Sequence, residues 1–147
     1  AARTELAQIG SEGTRNIMKY TQSGGQTFAG PADWFSGSVQ IDGVATPTTS
    51  QPSAAPTYDS PRAPERLAHH PKGQTLYVTD GIGYVGTRRG VVQEMRPGDV
   101  VYIEPGEEHW HGASPDRFMA HVAIQEADEN GEVVTWLDHV TDAEYGA

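Results

Sequence analysis

The sequence predicts a single all-β domain, built as a sandwich or a barrel. Strand-like segments recur at intervals of about eight to twelve residues, and turns rich in Gly and Pro separate them. The 147 residues include 17 glycines and 10 prolines, and no long apolar segment has helical periodicity. A chain of this length corresponds to one domain and buries a core without disulfides or metals to support it.

Residues 1–29 are predicted to form an N-terminal arm, and residues 30–147 the barrel domain. Glycines at positions 10 and 13 and the Ser23-Gly24-Gly25 cluster interrupt any element that begins in the arm. Such an arm is either disordered or laid against a neighbouring subunit, and its composition fits both.

The first part of the barrel domain has one clear strand and a long irregular stretch. Residues 38–42 alternate as a half-buried strand does. The stretch 43–64 is rich in Pro, Ser, Thr and Ala, and its five prolines argue against a central strand over most of it. Only Thr57 and Tyr58 resemble a brief edge strand, so the stretch is predicted to be a long loop.

Strand patterns are closely spaced in the second half of the chain. The predicted strands are 74–79, 83–88, 91–95, 100–103, 118–125 and 133–137. Arg89-Gly90 marks a hairpin between the second and third of them, and Pro97-Gly98-Asp99 and Asn130-Gly131 mark tight turns. Thr141 with Glu144 three residues later fits a capping box, so a helical turn is expected to end the domain.

The composition excludes several kinds of site and partner. The chain has no cysteine, which excludes disulfides and thiolate metal sites and leaves nitrogen and oxygen ligands for any metal. A formal net charge of −10 argues against nucleic acid as a partner, because phosphate binding needs a positive surface. No apolar run approaches the roughly twenty residues of a membrane span, and the N-terminus lacks a signal-peptide core. We therefore expect a cytoplasmic protein with no membrane partner.

Four of the six histidines lie at the two ends of the stretch 68–112: His69, His70, His109 and His111. Imidazole is the commonest side-chain metal ligand, and Gln74 follows the first pair closely. A single cluster would favour chance placement on surface loops. Because two clusters bound a continuous β-pattern, the sequence predicts that they converge on one metal ion.

Strand parity shows which of the polar side chains can share a cavity. His109 and His111 have the same parity, so both can face one interior. His121 and Gln125 share a face with Met119 and Ala123. This polar pair on a face of small or soft residues indicates an active site. The alternative is a single core histidine whose ring bonds to a backbone carbonyl.

Two motifs resemble those of the cupin superfamily. The segment 98–109, with Pro105-Gly106 before the histidine, resembles the second cupin motif, and 70–74 resembles the end of the first, where Gln often replaces the usual Glu ligand. More narrowly, residues 30–145 resemble the small bacterial single-domain cupins, which include the metal-dependent cupin hydroxynitrile lyases. The segments that carry this narrower resemblance are 30–35, 73–76, 97–101, 105–107, 109–113, 123–126 and 139–142.

The resemblance implies a small jelly-roll β-barrel that assembles as a homodimer or homotetramer. It also implies one divalent transition metal, Mn or Fe first, with Ni, Co or Zn as further options. The ligands it implies are the two histidines of the first motif, taken here as His69 and His70, together with Gln74 and His109. His121 and Gln125 match pocket positions on the opposite strand.

The first motif departs from the family pattern at one position. The family spaces its two histidines one residue apart, whereas counting back from Gln74 places His70 at the second histidine and Ala68 at the first. His69 faces away from His70 in a regular strand, and a β-bulge would turn it inward. The site therefore has four ligands through a bulge, or three (His70, Gln74 and His109) with an extra open position, or it has decayed and binds metal poorly.

The function that the resemblance implies is a metal-dependent lyase, which cleaves a small-molecule cyanohydrin to an aldehyde and cyanide and catalyses the reverse reaction. His121 is predicted to be the general base, and His111 and Gln125 to orient the substrate. One alternative is an Fe or Mn cupin dioxygenase or isomerase acting on an enolic small molecule. A second alternative is a non-catalytic ligand-binding cupin, which the alanine at position 68 favours.

Overall fold

Two antiparallel β-sheets form the barrel. The computed structural model describes residues 4–9, 16–21, 26–43, 52–90 and 92–146. In chain order the elements are β1 Thr4–Ile9, β2 Asn16–Thr21, β3 Thr27–Ala29, β4 Val39–Asp42, β5 Ser53–Asp59, β6 Ala68–His69, β7 Gln74–Gly81, β8 Gly83–Thr87, β9 Val92–Met95, β10 Val100–Ile103, β11 His109–Ala113, β12 Met119–Gln125, β13 Thr135–Trp136 and α1 Asp142–Tyr145.

The larger sheet has six strands in the order β10-β7-β12-β5-β4-β3, and the smaller has five in the order β13-β6-β11-β8-β9. Among the described strands, β1 and β2 pair with each other as a separate two-stranded sheet within the segment predicted as an arm. The strand β3 also lies in that segment, but it joins the larger sheet beside β4. The predicted all-β barrel is confirmed, and the division at residue 29 stays a prediction.

An apolar core lies between the two sheets. On β7, Leu76 and Val78 are fully buried, while Tyr77 between them is 45% exposed, as expected for a strand with one face in a core. Met95 and Ala113 from the smaller sheet pack against them. Burial of each Leu, Val or Met side chain stabilises the fold by about 1.5–3 kcal/mol. The two sheets are therefore held face to face, with their inward side chains enclosed.

The stretch 43–64 is not the predicted loop over its second half. The strand β5 pairs with β12 along its whole length and with β4 at its end, so it is a central strand that contains Pro56. Proline is tolerated there because the pairing with β4 begins only at Thr57, which leaves Pro56 with a partner on one side. Residues 44–51 of the predicted loop lie outside the described residues.

The predicted helical turn is confirmed, and it closes the outer face of the smaller sheet. Thr141 accepts a hydrogen bond from the backbone N–H of Glu144, and the Glu144 carboxylate accepts one from the backbone N–H of Thr141, at 2.9 Å. The helix α1 places Tyr145 against Trp110 and Leu67. The predicted strand 133–137 is shorter than expected and comprises only β13. No helix in the described part of the chain has the length and apolar character to cross a membrane.

Candidate active site

Four imidazoles form a row inside the barrel. The ring centroids of His70 and His109 are 5.3 Å apart, those of His109 and His111 are 6.2 Å apart, and those of His111 and His121 are 5.0 Å apart. All four side chains are at most 4% exposed. The strand β11 supplies two of them, because its residues 109 and 111 have the same parity, and β12 supplies His121 from the opposite sheet. The structure thus brings His70 of the first predicted cluster together with both histidines of the second and with His121.

Backbone carbonyls orient the rings of His70 and His109. Nδ1 of His70 is 2.9 Å from the carbonyl oxygen of Val133, and Nδ1 of His109 is 2.9 Å from that of Glu107. A carbonyl oxygen only accepts, so each ring donates from Nδ1 and presents the lone pair of Nε2 to the interior. Metal-ligating histidines have this arrangement, with the second nitrogen fixed by a backbone carbonyl.

Gln74 completes a set of three neutral donors. Its Nε2 donates to Oε1 of Gln125 at 2.8 Å, which turns its own Oε1 toward Nε2 of His109, 2.9 Å away. Burial lowers the pKa of His109, so this ring is neutral and its Nε2 carries a lone pair. Two lone pairs that face each other at this distance repel, unless a cation lies between them. The donor set of His70, Gln74 and His109 therefore fits a divalent transition metal.

His69 occupies a different position from these three. It pairs with Thr135 at the edge of the smaller sheet and is half-buried, whereas Ala68 lies opposite His109 and is fully buried. Burial is the largest cause of the lowered pKa of His70 and of His109, and a positive charge on His69 lowers both further, so the ring of His69 lies within electrostatic range of them. The assignment of His69 as a ligand stays a prediction.

Two buried carboxyl groups beside the imidazole row were missed by the sequence analysis. Asp59 and Glu65 are 2% and 5% exposed. Oδ2 of Asp59 is 3.8 Å from Nδ1 of His121, and Oε1 of Glu65 is 3.0 Å from Nε2 of His111 without the alignment of a hydrogen bond. Ligand atoms of Asp59, His111 and His121 lie within 4.8 Å of one another. The same holds for ligand atoms of Glu65, His109 and His111.

Burial keeps these groups uncharged near neutral pH. Desolvation raises the pKa of Asp59 to about 8, and desolvation followed by the charge of Asp59 raises that of Glu65 well above its usual range. Desolvation lowers the pKa of His121 to about 4 and that of His111 well below its usual range, with nearby imidazoles adding to the second effect. The interior therefore combines carboxylic acids with neutral imidazoles.

Several polar atoms of this cluster are buried and have no hydrogen-bond partner among the residues that the structure describes. They are Oδ1 of Asp59, Oε1 of Glu65, both ring nitrogens of His111 and Nδ1 of His121. Each such atom costs about 1–3 kcal/mol of stability. A concentration of unpartnered groups at one place is typical of a site that binds a ligand or an ion.

Asp59 and Glu65 escaped the sequence analysis for different reasons. Asp59 lies at the end of β5, in the stretch predicted as a loop, and its strand shows an alternation in which Thr57 and Asp59 are buried and Tyr58 is 51% exposed. That alternation could have identified Asp59 as an inward-facing side chain. Glu65 lies outside any regular strand and follows Pro64, so no periodicity marks it.

A β-barrel of two antiparallel sheets with inward histidines and an inward glutamine defines the class of protein. Residues 60–123 match the family model described as a cupin domain. The chain belongs to the cupin family. One sequence relative is more specific: over 117 residues the chain is 47% identical to an (R)-mandelonitrile lyase from Granulicella tundricola, a match that covers 79% of this chain and 88% of the relative.

Solved structures support the same fold. A cupin-like protein from Thermotoga maritima superposes with a TM-score of 0.74 at 30% identity, over 84% of this chain and 94% of that protein. A cupin-2 domain protein from Rhodospirillum rubrum superposes with a TM-score of 0.65 at 18% identity, over 88% of this chain and 84% of that one. The predicted resemblance to small cupins related to hydroxynitrile lyases is confirmed.

Proposed function

We propose that this cupin is a metal-dependent lyase of the hydroxynitrile lyase type, which cleaves a cyanohydrin to an aldehyde and cyanide and catalyses the reverse addition. The observation that carries the proposal is the 47% identity over 117 residues with an (R)-mandelonitrile lyase. The interior row of imidazoles supports it, because the reaction needs a base in a buried pocket.

The residues that would hold the metal are His70, Gln74 and His109, with His69 as the fourth predicted ligand. Neutral imidazole and amide donors suit Mn or Fe, and also Ni, Co or Zn. When bound, such an ion acts as a Lewis acid that lowers the pKa of a nearby hydroxyl group.

His121 is the group that would take the hydroxyl proton of the cyanohydrin. Its ring is neutral above a pKa of about 4, because burial disfavours the charged form. As the O–H proton moves to the imidazole, the C=O bond of the aldehyde forms. The electrons of the broken C–C bond leave with cyanide, which then takes the proton to give hydrogen cyanide.

Asp59 would act as a positioning residue through His121. Its Oδ2 is 3.8 Å from Nδ1 of that ring, longer than a hydrogen bond, and such contacts shorten when substrate binds. An imidazolium at His121 lowers the pKa of Asp59 in turn, since opposite charges within about 4–6 Å favour both ionised forms.

His111 and Gln125 would orient the substrate. The ring of His111 lies edge-on to that of His121, with both of its nitrogens unpartnered. Oε1 of Gln125 accepts from Gln74, which leaves the amide N–H₂ of Gln125 as a donor to substrate. Both groups are therefore available for hydrogen bonds to a hydroxyl or nitrile near the base.

The test is cleavage of a cyanohydrin by protein loaded with Mn, Fe, Co, Ni or Zn, followed by aldehyde absorbance. We expect His121→Ala to keep the wild-type metal content and to lose turnover by about 10²-fold or more. His139 is exposed, so His139→Ala is the matched control and keeps both. Wild-type turnover in His121→Ala would remove the assigned role, and the absence of cleavage by loaded wild type would overturn the proposal.

A second candidate function rests on a different observation. Glu65, His109 and His111 form a set of two histidines and one carboxylate, which is typical of non-haem iron oxygenases. An Fe or Mn dioxygenase or isomerase acting on an enolic small molecule would use it. Oxygen uptake with an enolic substrate, measured beside cyanohydrin cleavage, separates the two functions. A protein that binds small molecules but catalyses neither reaction would be the non-catalytic cupin.

We also propose that the chain assembles as a homodimer or homotetramer through the outer face of the larger sheet. On that face Tyr77 is 45% exposed, and on the edge strand β10 Val100 and Tyr102 are 63% and 58% exposed. Val100 pairs directly with Tyr77, so the apolar side chains are contiguous. Patches of this kind mark contact surfaces.

A chain without cysteine fits the reducing cytoplasm, which is the location we propose.

A further inference from the structure

The expected metal site lacks one ligand, because Ala68 occupies the position of the first histidine of the motif. Ala68 lies directly opposite His109 on the neighbouring strand and is fully buried. Residues opposite each other in an antiparallel pair point to the same face, so the methyl group of Ala68 faces the interior where the first histidine of the motif was expected. A methyl group binds no metal, and the inward surface at this point needs another donor.

A shift of register brings Glu65 to the same face as Ala68. Pro64 bridges to Gly112 and Ala68 pairs with His109, so four residue steps on one strand oppose three on the other. This extra residue is a bulge, and it lets positions three apart face one side. The backbone N–H of Glu65 donates to the carbonyl of His111 at 3.0 Å, which anchors the carboxyl group beside the row.

Gly112 makes this close approach feasible. A Cβ atom there would lie 2.5 Å from Cα of Pro64 and 2.6 Å from the carbonyl oxygen of Ala63. Any side chain would therefore push the segment that carries Glu65 away from β11. Gly112 therefore allows the segment that carries Glu65 to lie close to β11, with its carboxyl group beside the imidazoles.

The carboxyl group of Glu65 has the surroundings of a metal ligand. Its Oε1 lies 3.0 Å from Nε2 of His111 and has no hydrogen-bond partner in the described part of the chain. A ligand atom of Glu65 also lies within 4.8 Å of ligand atoms of His109 and His111. Two ligands at about 2.0–2.2 Å from one ion are separated by at most about 4.4 Å, so small shifts suffice. Among the described residues no Lys or Arg forms an ion pair with Glu65.

We propose that Glu65 is a ligand of the ion that His109 holds, in place of the imidazole missing at position 68. The inference rests on the metal dependence of the proposed function and adds a ligand to it. It makes the site anionic, with nitrogen and amide donors joined by one carboxylate. Such a set favours Mn²⁺ and Fe²⁺ over softer ions and strengthens their binding.

The experiment measures Mn²⁺ affinity in the full chain, with free Mn²⁺ followed by electron paramagnetic resonance after chelator treatment. The variants are Glu65→Gln, Glu65→Ala, Ala68→His and the double variant Glu65→Ala with Ala68→His. Glu129 is exposed, and Glu129→Gln is the matched control. We expect Glu65→Gln to weaken Mn²⁺ binding by at least about tenfold, the double variant to recover most of the loss, and the control to bind as wild type does.

The outcomes separate this inference from the proposed function. Wild-type protein that binds Mn²⁺, with Glu65→Gln binding equally well, overturns the role of Glu65 and leaves the lyase proposal standing. Wild-type protein that binds none of Mn, Fe, Co, Ni and Zn overturns the metal dependence itself. If the Glu65 single variants fail to fold, the double variant and Ala68→His decide. A ligand role requires Ala68→His, which keeps Glu65, to bind Mn²⁺ at least about threefold more tightly than the double variant, and equal binding by the two overturns it.

Discussion

The buried carboxyl group of Asp59 makes the stability of the metal-free protein depend on pH. Burial raises its pKa from 3.8 to about 8, and among the described residues its only ion-pair partner is His121, whose ring is neutral. Between these two values the folded protein holds a proton that the unfolded chain has released. Stability therefore falls as pH rises through this window. Replacement of Asp59 by Asn removes the ionisable group and keeps its shape.

The size of the effect follows from the shift in pKa. Each pH unit in the window costs about 1.4 kcal/mol of stability. Between pH 6 and pH 8 the folded carboxyl group goes from almost fully protonated to half ionised, so the loss is about 2 kcal/mol. For a chain of this size that corresponds to about 4–8 °C in Tm. Burial also lowers the pKa of His70 and His121 from 6.5 to about 4, so these histidines titrate near pH 6.5 in the unfolded chain and make stability rise with pH, opposite to Asp59. Because they do so equally in wild type and in Asp59→Asn, the difference between the two proteins reports Asp59.

The assay is thermal unfolding of chelator-treated protein at pH 6, 7 and 8. We expect the Tm of Asp59→Asn minus that of wild type to increase by about 4–8 °C from pH 6 to pH 8. Asp33 is exposed, so Asp33→Asn is the matched control and follows the wild-type slope. Parallel curves for wild type and Asp59→Asn would refute the reasoning, since they would mean that Asp59 is ionised or solvated in the folded state.

Two further predictions concern the metal and the assembly. His70→Ala should lose bound metal, because it removes an Nε2 donor whose ring is fixed by Val133. Metal content measured by mass spectrometry checks this, and full occupancy in the variant would contradict the proposed ligand set. Tyr102→Lys should shift the oligomer toward monomer in light scattering, because it places a charge in the apolar face, whereas Val92→Lys on the exposed part of β9 should leave the mass unchanged. An unchanged mass for both variants would place the interface elsewhere.

The sequence predicts well those elements whose burial alternates locally. The strand β10 has the predicted bounds, 100–103, and β7 extends the predicted 74–79 by two residues. The same alternation correctly places His109 and His111 on one face, since both are at most 4% exposed. Local pattern suffices here because each of these strands has one face in the core and one in solvent.

The local sequence pattern does not predict elements that depend on pairing with distant segments. The strand β5 contains a proline and is buried between β12 and β4 only because distant segments pair with it. The inward position of Glu65 depends on a bulge against β11, a strand more than forty residues away in sequence. Propensity favours a loop at both places. Tertiary pairing overrides that preference and creates the acidic part of the site.

The two buried carboxyl groups, Asp59 and Glu65, influence each other's ionisation. Burial raises the pKa of Glu65 and a charge on Asp59 raises it further; the interaction between the two charges is reciprocal, so an ionised Glu65 makes ionisation of Asp59 harder. Burial keeps Glu65 protonated in the metal-free protein; if Glu65 ligates the ion as proposed, it is ionised there, and the charge of a divalent cation exceeds that of the carboxylate. Asp59 then ionises more readily beside His121 and stabilises its protonated form. Metal loading at one end of the row would therefore raise the proton affinity of the base at the other end.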